Sequence, residues 1–303
     1  MIQNMYKRVK RMILTKVNPS AGVMPFYGRM LRMDKRNTLY MTYKQFPLYN
    51  SEIGRLVKVI NRKYNDLTVI DVGANIGDTL YIIKDADISA NVICFEGDDY
   101  SYSYLEKNAS EFTNVFLSKN YLGEKNEVLN IHFDQEKFNN TILLGKGNGN
   151  KQIKINKLDD VITNSFLQFK PTIKLLKVDT EGFDINILLG GLEMIRETKP
   201  IIHFEYNRLC MDKNNIDGLS IFETLKRHGY DRVLFFENVG RLFLDTKLEN
   251  MELIHNLHEA VDGVNSFINY WDLCLFHKDD DDIAKIYLEG ERNFRNTNSY
   301  RLK

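Results

Sequence analysis

The stretch "TVIDVGANIGDTLYIIK" (Thr68–Lys84) passes from a strand pattern through a glycine turn into a helix pattern. Its apolar residues run up to Asp71, and Gly73 and Gly77 follow before apolar residues recur at helical spacing. Glycine lets the backbone approach a ligand closely, and the N-terminus of the next helix offers free N–H groups and the positive end of its dipole. Ligands of open α/β sheets lie beyond the carboxyl ends of the strands, so this turn predicts a binding site for a nucleotide-like cofactor.

The spacing of the turn indicates which cofactor it suits. A dinucleotide fingerprint reads G-x-G-x-x-G, whereas here three residues separate Gly73 from Gly77, and Asp71 stands two positions before the first glycine. A carboxylate is a poor neighbour for a pyrophosphate, but it suits a ligand with an ammonium or sulfonium charge. Glu96 ends the second predicted strand, 19 residues after Gly77, where an acid binds the hydroxyls of a ribose. Together these residues favour S-adenosyl-L-methionine over NAD.

Strand and helix patterns alternate along the rest of the chain. Further strands are predicted at "NVICFE", "NVFLSKN", "TIKLLKVD", "IIHFEY", "YDRVLFFEN" and "INYWDLCLF". This alternation predicts βαβ units and one α/β domain with a parallel sheet of about seven strands. Within 123–157 the strands "EVLNIHF" and "KQIKIN", separated by a glycine-rich turn at Gly145–Asn150, predict a small antiparallel insertion. We predict a basic N-terminal arm over residues 1–50, the main domain over 51–278 and a charged C-terminal tail over 279–303.

The composition excludes several classes of function. With 43% hydrophobic and 27% charged residues, the 303-residue chain is typical of a soluble globular protein. Its 41 basic residues equal its 41 acidic residues, so its charge does not favour a nucleic acid as partner. The three cysteines are far apart and form no CxxC pair, which predicts neither disulfides nor a zinc site and favours the reducing cytoplasm. No apolar run approaches the roughly 20 residues of a membrane span.

The N-terminal segment leaves two interpretations open. Residues 1–33 contain seven Lys or Arg and no acidic residue, and apolar residues recur at helical spacing within 1–16. One interpretation is weak contact of 1–16 with an anionic membrane surface, which would place the protein at the inner membrane face. The other, which we favour, is an arm packed on the main domain or on a partner subunit. The sequence does not predict an oligomeric state.

Several motifs together carry a resemblance to a known family. They are "VIDVGANIGDT", "ICFEGDD", "NYLGE", "LDDVI", "IKLLKVDTEGFDINILLGG" and "KPIIHFEYN", with "KVDTEG" (177–182) the most distinctive. In this order and spacing, over Val69–Tyr206, they resemble the FkbM-type methyltransferases. The resemblance implies a Rossmann-like, seven-stranded class I methyltransferase sheet with helices on both faces. It also implies S-adenosyl-L-methionine as cofactor and a hydroxyl acceptor, commonly in polyketide or surface-glycan pathways. One departure is Gly97, where the family usually has proline.

The resemblance also implies which residues contact the cofactor. They are Asp71, Gly73, Asn75 and Gly77 beside the methionine part, Glu96 at the ribose, and Asn120 with Tyr121 at the adenine edge. Asp71 could instead cap the turn, and Glu96 could instead pair with a surface lysine. We favour the ribose role for Glu96, because a strand-end acid is seldom needed for folding. For Asn120 and Tyr121 both interpretations stay open.

Methyl transfer to a hydroxyl needs a base or a metal, because a hydroxyl is a weak nucleophile. The candidates at strand ends are Asp179, Glu181 and His203. His203 has the most suitable intrinsic pKa but could equally be a buried core residue. Asp179 could instead cap a helix, and Glu181 could be a favourable acid in its first turn. Asp179, Glu181 and Glu205 could hold a divalent cation through oxygen ligands, an interpretation that we do not favour.

These observations predict an S-adenosyl-L-methionine-dependent O-methyltransferase. Its acceptor would be a polar small molecule or a glycan, with surface polysaccharide biosynthesis as one setting. An NAD-dependent oxidoreductase or epimerase is the alternative, disfavoured by the spacing at Gly73 and by the lack of a Tyr-x-x-x-Lys pair after the fourth main strand. A non-catalytic cofactor-binding module is a third interpretation.

Overall fold

The computed structural model describes most of the chain. The described residues are 22–34, 37–133, 142–143, 151–180, 182–261 and 268–297. The strands are β1 (Val23–Phe26), β2 (Arg29–Arg32), β3 (Thr68–Val72), β4 (Asn91–Phe95), β5 (Val115–Ser118), β6 (Tyr121–Gly123), β7 (Glu127–Phe133), β8 (Ile142–Leu143), β9 (Lys151–Lys157), β10 (Ile173–Val178), β11 (Ile201–Tyr206), β12 (Tyr230–Glu237), β13 (Arg241–Lys247) and β14 (Trp271–His277). The helices are α1 (Leu39–Gln45), α2 (Ser51–Ile60), α3 (Asp78–Ala86), α4 (Asp99–Ala109), α5 (Leu158–Ser165), α6 (Asp184–Gly190), α7 (Leu192–Thr198), α8 (Arg208–Lys213), α9 (Ser220–Arg227), α10 (Met251–Ala260) and α11 (Asp281–Thr297).

The main sheet has the strand order β13-β12-β14-β11-β10-β3-β4-β5. Strands β5, β4, β3, β10 and β11 run parallel, and β14 lies antiparallel between β11 and β12. The predicted α/β class is confirmed, but the described sheet has eight strands where seven were expected. The additional strand is β13, which pairs antiparallel with β12 at the sheet edge. The parallel strands bring their carboxyl ends to one edge, and the site lies there.

Helices cover both faces of the sheet, because successive strand residues point to opposite sides. One face packs against α5, α6, α9 and α10 through a core that includes Ile70 and Val178. The other face packs against α2, α3, α11 and the β1–β2 hairpin through a core that includes Val69 and Leu175. In α2 the buried apolar residues recur every three or four positions, so one stripe of the helix faces the sheet.

The predicted antiparallel insertion forms a second small sheet with the order β6-β9-β7-β8. Strands β7 and β9 pair antiparallel as expected, and β6 adds to β9 in parallel. The predicted turn at Gly145–Asn150 lies outside the described residues. Ile153 and Ile155 form a small core with Tyr121 and Leu129, which anchors this sheet beside the site.

Both ends of the described chain pack on the main domain. Within the segment predicted as an arm, the β1–β2 hairpin buries Met24 and Leu31, while residues 1–21 lie outside the described residues. Within the segment predicted as a charged tail, residues 279–303, Asp281–Thr297 forms α11, which buries Ile283 and Tyr287 against the sheet. Most of its charged residues lie on the outer face of an amphipathic helix, while Glu291 is buried and pairs with Arg55. The boundaries after residues 50 and 278 stay predictions. Among the described helices, none has the length and apolar character to span a membrane.

Candidate active site

A cavity of about 1000 Å³ opens at the carboxyl edge of the main sheet. Loops that follow β3, β4, β10, β11 and β12 form its floor, and the N-terminal segment 37–50 covers part of it. Residues from the small inserted sheet and from 268–270 complete its walls. The cavity is large enough for a drug-sized ligand, since such sites measure roughly 300–1,000 Å³.

The glycine turn brings the backbones of neighbouring loops into close contact in this cavity. Gly73 has a left-handed φ of 74°, and a Cβ at this position would overlap the carbonyl oxygen of Asp179. The backbone N–H groups of Gly73 and Ala74 both donate to the Phe95 carbonyl oxygen, at 2.9 and 3.0 Å. The N–H of Asp179 donates to the carbonyl oxygen of Val72 at 3.0 Å. The loops after three neighbouring strands are thus bonded together, and only glycine meets both the φ and the space.

Glu96 is bonded directly to this turn. Its Oε2 accepts a hydrogen bond from the backbone N–H of Asn75 at 2.9 Å, and its Oε1 accepts one from the N–H of Asp98 at 2.8 Å. Asn75 itself has a left-handed φ of 48°, which aims its N–H at the carboxylate. Burial raises the pKa of Glu96 to about 7. A strand-end carboxylate is therefore fixed in the cavity wall beside the glycine turn.

Asn120 and Tyr121 line the cavity next to Glu96. The Asn120 side chain donates to Ser118 Oγ and accepts from Asn156 Nδ2, both at 2.7 Å. The buried hydroxyl of Tyr121 has no hydrogen-bond partner among the described residues. A Cβ at Gly97 would collide with the Tyr121 ring, which gives a physical reason for glycine where the family usually has proline.

Lys177 is buried at the floor of the cavity between two carboxylates. Its Nζ lies 3.0 Å from Asp71 Oδ1, 3.4 Å from Asp179 Oδ2 and 3.4 Å from the Gly73 carbonyl oxygen. Burial opposes the charge of Lys177, but Asp71 and Asp179 outweigh that effect and raise its pKa above the usual value. Asp71 and Lys177 are adjacent in the β3–β10 pairing, so the register of two central strands fixes this ion pair.

Comparisons with known proteins identify the family of this fold and site. A family model described as the methyltransferase FkbM domain matches residues 71–232, more than half of the chain. The chain belongs to the FkbM methyltransferase family. The match includes the end of β3, the glycine turn, Glu96 and the Lys177 motif, so it contains the residues at the floor of the cavity, while segments 37–50, 237–239 and 268–270 complete the lining from outside it.

Solved structures of methyltransferases resemble this FkbM-family chain at low identity. The methyltransferase FkbM from Methylobacillus flagellatus is 17% identical over 56% of this chain, with a TM-score of 0.40. The match spans only 40% of the length of that protein. The plantazolicin methyltransferase BpumL in complex with SAH is 13% identical over 91% of this chain and 99% of its own, with a TM-score of 0.41. No curated protein sequence matches the chain.

Two residues expected beside the methionine part of the cofactor do not line the cavity of this methyltransferase domain. Asp71 is fully buried behind Lys177, so its carboxylate balances a lysine and does not face a ligand. Gly77 has a left-handed φ of 92° at the start of α3 and packs against Leu105. It therefore shapes the turn, while Gly73 and Asn75 line the cavity as expected.

The expectation of His203 as the base does not fit the structure. His203 is 3% exposed, and its Nε2 lies 3.6 Å from Glu52 Oε1 below the cavity floor. Burial, followed by the charge of Lys177, lowers the pKa of His203 to about 3. His203 and Glu205 share one side of β11, but only Glu205, nearer the carboxyl end, lines the cavity. Strand alternation predicts which face of the sheet a side chain lies on, but it does not predict how deeply that side chain is buried.

The other two catalytic candidates, Asp179 and Glu181, both follow β10 in the chain. Glu181 lies outside the described residues. Asp179 lines the cavity, and it is Asp184 that accepts the backbone N–H groups of Thr180 and Gly182, at 3.2 and 3.1 Å. The carboxylate of Asp179 is thereby left to face Lys177 and the cavity. In the described part of the chain, no group of three or more His, Cys, Asp or Glu side chains is arranged to hold a metal ion.

Several cavity residues were missed in the sequence. They include Tyr49, Lys177, Glu237, Asn238 and Tyr270. Lys177 belongs to the most distinctive motif, and a lysine inside an apolar strand is a signal that a buried partner carboxylate is needed. Glu237 ends β12, so the strand-end argument that found Glu96 applies to it as well. Tyr49 and Tyr270 come from distant irregular segments, and no sequence pattern joins them.

We expect Asp71→Asn to destabilise the protein by about 3–5 kcal/mol, because it removes the closest partner of a buried lysine. The double variant D71N/K177M, which removes both charges, should lose less than the two single variants together. Urea unfolding of all four proteins measures this coupling. Losses that simply add would show that the two side chains do not stabilise each other.

We expect Gly97→Ala to destabilise the protein by about 1–3 kcal/mol, because the new methyl group collides with the Tyr121 ring. Tyr121→Leu in the same chain should recover part of this loss. Gly290→Ala is the matched control, since a Cβ there meets no atom within 4 Å and alanine favours the helix by up to about 1 kcal/mol. Equal losses for both alanine variants in thermal unfolding would contradict the proposed packing.

Proposed function

We propose that this chain is an S-adenosyl-L-methionine-dependent O-methyltransferase that acts on a hydroxyl of a polar small molecule or glycan, with surface polysaccharide biosynthesis as its setting. The observation that carries the proposal is the bond between Glu96 and the glycine turn, in a cavity that also contains Asp179. One end of this cavity suits a ribose beside a closely approached backbone. The other end presents carboxylates to a second reactant.

The residues present fit this cofactor. Gly73 leaves space where a Cβ would block the turn, and the Glu96 carboxylate accepts hydrogen bonds, as ribose hydroxyls require. We infer that Gly73 and Asn75 hold the methionine part, that Glu96 holds the ribose, and that Asn120 and Tyr121 flank the adenine. The buried Tyr121 hydroxyl has no hydrogen-bond partner among the described residues, and we infer that a bound ligand supplies one. When bound, S-adenosyl-L-methionine supplies an electrophilic methyl group on a sulfonium centre.

The chain's own residues supply the proton acceptor and its support. Asp179 lies at the end of β10 with its carboxylate in the cavity, and we infer that it accepts the proton of the acceptor hydroxyl. Lys177 holds this carboxylate at 3.4 Å, and Asp71 holds Lys177 from behind. Glu205, near the end of the neighbouring strand, accepts a hydrogen bond from Asn207 Nδ2 at 3.1 Å, and we infer that it orients the acceptor. Positioning of both reactants supplies much of the rate in such a displacement.

The oxidoreductase alternative fits the first helix poorly. A dinucleotide places its pyrophosphate at the N-terminus of the helix after the first strand. Here the first helical residue is Asp78, whose carboxylate is buried, lines the cavity and accepts a hydrogen bond from the Tyr43 hydroxyl at 2.8 Å. That carboxylate would repel a pyrophosphate.

A cytoplasmic location belongs to the same proposal. No disulfide joins Cys94, Cys210 or Cys274, as expected in a reducing compartment. Contact of residues 1–16 with a membrane surface stays a prediction.

We expect isothermal titration to show binding of S-adenosyl-L-methionine and of its demethylated product, and no binding of NAD. Glu96→Ala should weaken both interactions at least about tenfold, because each ribose hydroxyl loses a charged acceptor. Glu289→Gln, which removes an exposed acid on α11 outside the cavity, is the charge-matched control. Binding of NAD by the folded protein would instead support the oxidoreductase. Binding of neither ligand would contradict the methyltransferase proposal.

We also expect cofactor affinity to fall as the pH decreases through about 7, the value to which burial raises the pKa of Glu96. Ribose hydroxyls donate to the carboxylate, so binding requires the ionised form, and protonation below that pH competes with it. The affinity should fall about tenfold per pH unit well below the pKa. Titration of the demethylated product at pH 6, 7 and 8 measures this effect. Glu96→Gln should remove the dependence, and an unchanged slope in that variant would assign the titration to another group.

A further inference from the structure

The cavity has a strong excess of carboxylates although the whole chain is neutral. Among its described lining residues, six side chains are acidic and one is basic. The acids are Asp78, Glu96, Asp98, Asp179, Glu205 and Glu237, and the base is Lys177. The chain as a whole contains 41 acidic and 41 basic residues, so the local excess arises from the fold. Clefts lined by one sign of charge concentrate ligands of the opposite sign.

The positive charge of Lys177 is already balanced. Its Nζ contacts Asp71 at 3.0 Å and Asp179 at 3.4 Å, so two carboxylates surround one ammonium group. An anionic ligand would have to displace Asp179 to reach Lys177. Within the described lining of the cavity, no other lysine or arginine is available to receive a phosphate or a carboxylate.

The carboxylates divide between the two ends of the cavity. Asp78, Glu96 and Asp98 lie at or beside the glycine turn, where we have placed the cofactor. Asp179 directly follows β10, Glu205 lies near the end of β11 and Glu237 ends β12, and these three acids line the rest. The acceptor end is therefore formed mainly by strand-end acids.

Two neighbouring groups respond to burial and to the acidic charges at the acceptor end. Asp272 lies directly opposite Glu205 in the β11–β14 pairing, which brings their side chains close together. Burial, followed by the charges of Glu52 and Asp179, raises the pKa of Asp272 well above its usual value. Burial, followed by the charges of Asp179 and Asp272, likewise raises the pKa of Tyr49. Tyr49 therefore keeps its proton and remains a hydrogen-bond donor in a pocket of acceptors.

A cavity lined by carboxylates prefers ligands that donate hydrogen bonds over ligands that carry negative charge. Carboxylates accept hydrogen bonds, and sugar hydroxyls and ammonium groups donate them. A phosphate has only acceptor oxygens when fully ionised and would meet like charges on three strand ends. Partial burial makes that repulsion large, since two unit charges interact far more strongly near protein than in bulk water.

We propose that the acceptor presents a neutral or amine-bearing hydroxylated group to this cavity, and that any phosphate or carboxylate it carries stays outside. The inference rests on the proposed methyl transfer and narrows its substrate class. A nucleotide sugar or a lipid-linked glycan would enter by its sugar end, with the diphosphate outside the cavity. A sugar acid would not be the residue that is methylated.

The test uses the full-length protein and two matched probes. Titration with S-adenosylhomocysteine first shows that the cofactor end is intact, so a failure here refutes the proposed function separately. The saturated protein then receives methyl 2-amino-2-deoxyglucoside or methyl glucuronide at constant ionic strength, at a pH where the amine is protonated. Shifts of the thermal midpoint with probe concentration give the two affinities. The comparison proteins are E205Q/E237Q, the single variant E237Q and the surface control E289Q.

We expect wild type and E289Q to bind the amine at least about tenfold more tightly than the glucuronide. E205Q/E237Q should reduce this ratio several-fold, and E237Q alone should reduce it partly if the double variant does not fold. Equal affinities for the two probes, tighter binding of the glucuronide, or no binding of either would overturn the proposal. A preference for the amine that the variants leave unchanged would overturn it as well, because the acceptor-end acids would not be its cause.

Discussion

The buried ammonium group of Lys177 is the interaction on which the arrangement of the site depends. It lies between Asp71, which no solvent reaches, and Asp179, which faces the cavity. An unpaired charge at this depth would be costly, so the position of each partner constrains the other two. Because Asp71 and Lys177 belong to adjacent central strands, the register of the sheet sets where the Asp179 carboxylate lies. The buried pair of Asp71 and Lys177 thus positions Asp179, a catalytic candidate.

The cofactor end is built by backbone geometry. Gly73, Asn75 and Gly77 all have left-handed φ values, and the turn they form passes between the loops that follow β4 and β10. Glu96 is held by the N–H of Asn75, so the ribose-binding candidate and the glycine turn form one unit. Both are held in position by hydrogen bonds within the chain itself. Such preorganisation reduces the cost of ordering groups when the cofactor binds.

Much of this site was predictable from local sequence rules. The predicted residues that do not line the cavity miss it for one shared reason. Glu96 and Asp179 were found because strand-end acids in a parallel sheet gather at one edge, and both line the cavity. Asp71 and His203 satisfy the same pattern but lie one step deeper, where their side chains face Lys177 and Glu52. The two-residue period of a strand gives the direction of a side chain. Whether that side chain meets solvent or a second layer depends on the helix that covers it.

The sequence by itself determined the α/β class, the order of most strands along the chain, the glycine turn and the methyltransferase family. These features are encoded locally, in hydrophobic periodicity, turn residues and short motifs. Only the tertiary structure decided which charges pair, that α11 and the β1–β2 hairpin pack on the sheet, and that Tyr49, Glu237 and Tyr270 meet at one cavity. Those residues lie far apart in the chain, and their proximity follows from strand order and register. The negative acceptor end therefore exists only in the folded protein, because the neutral composition gives no indication of it.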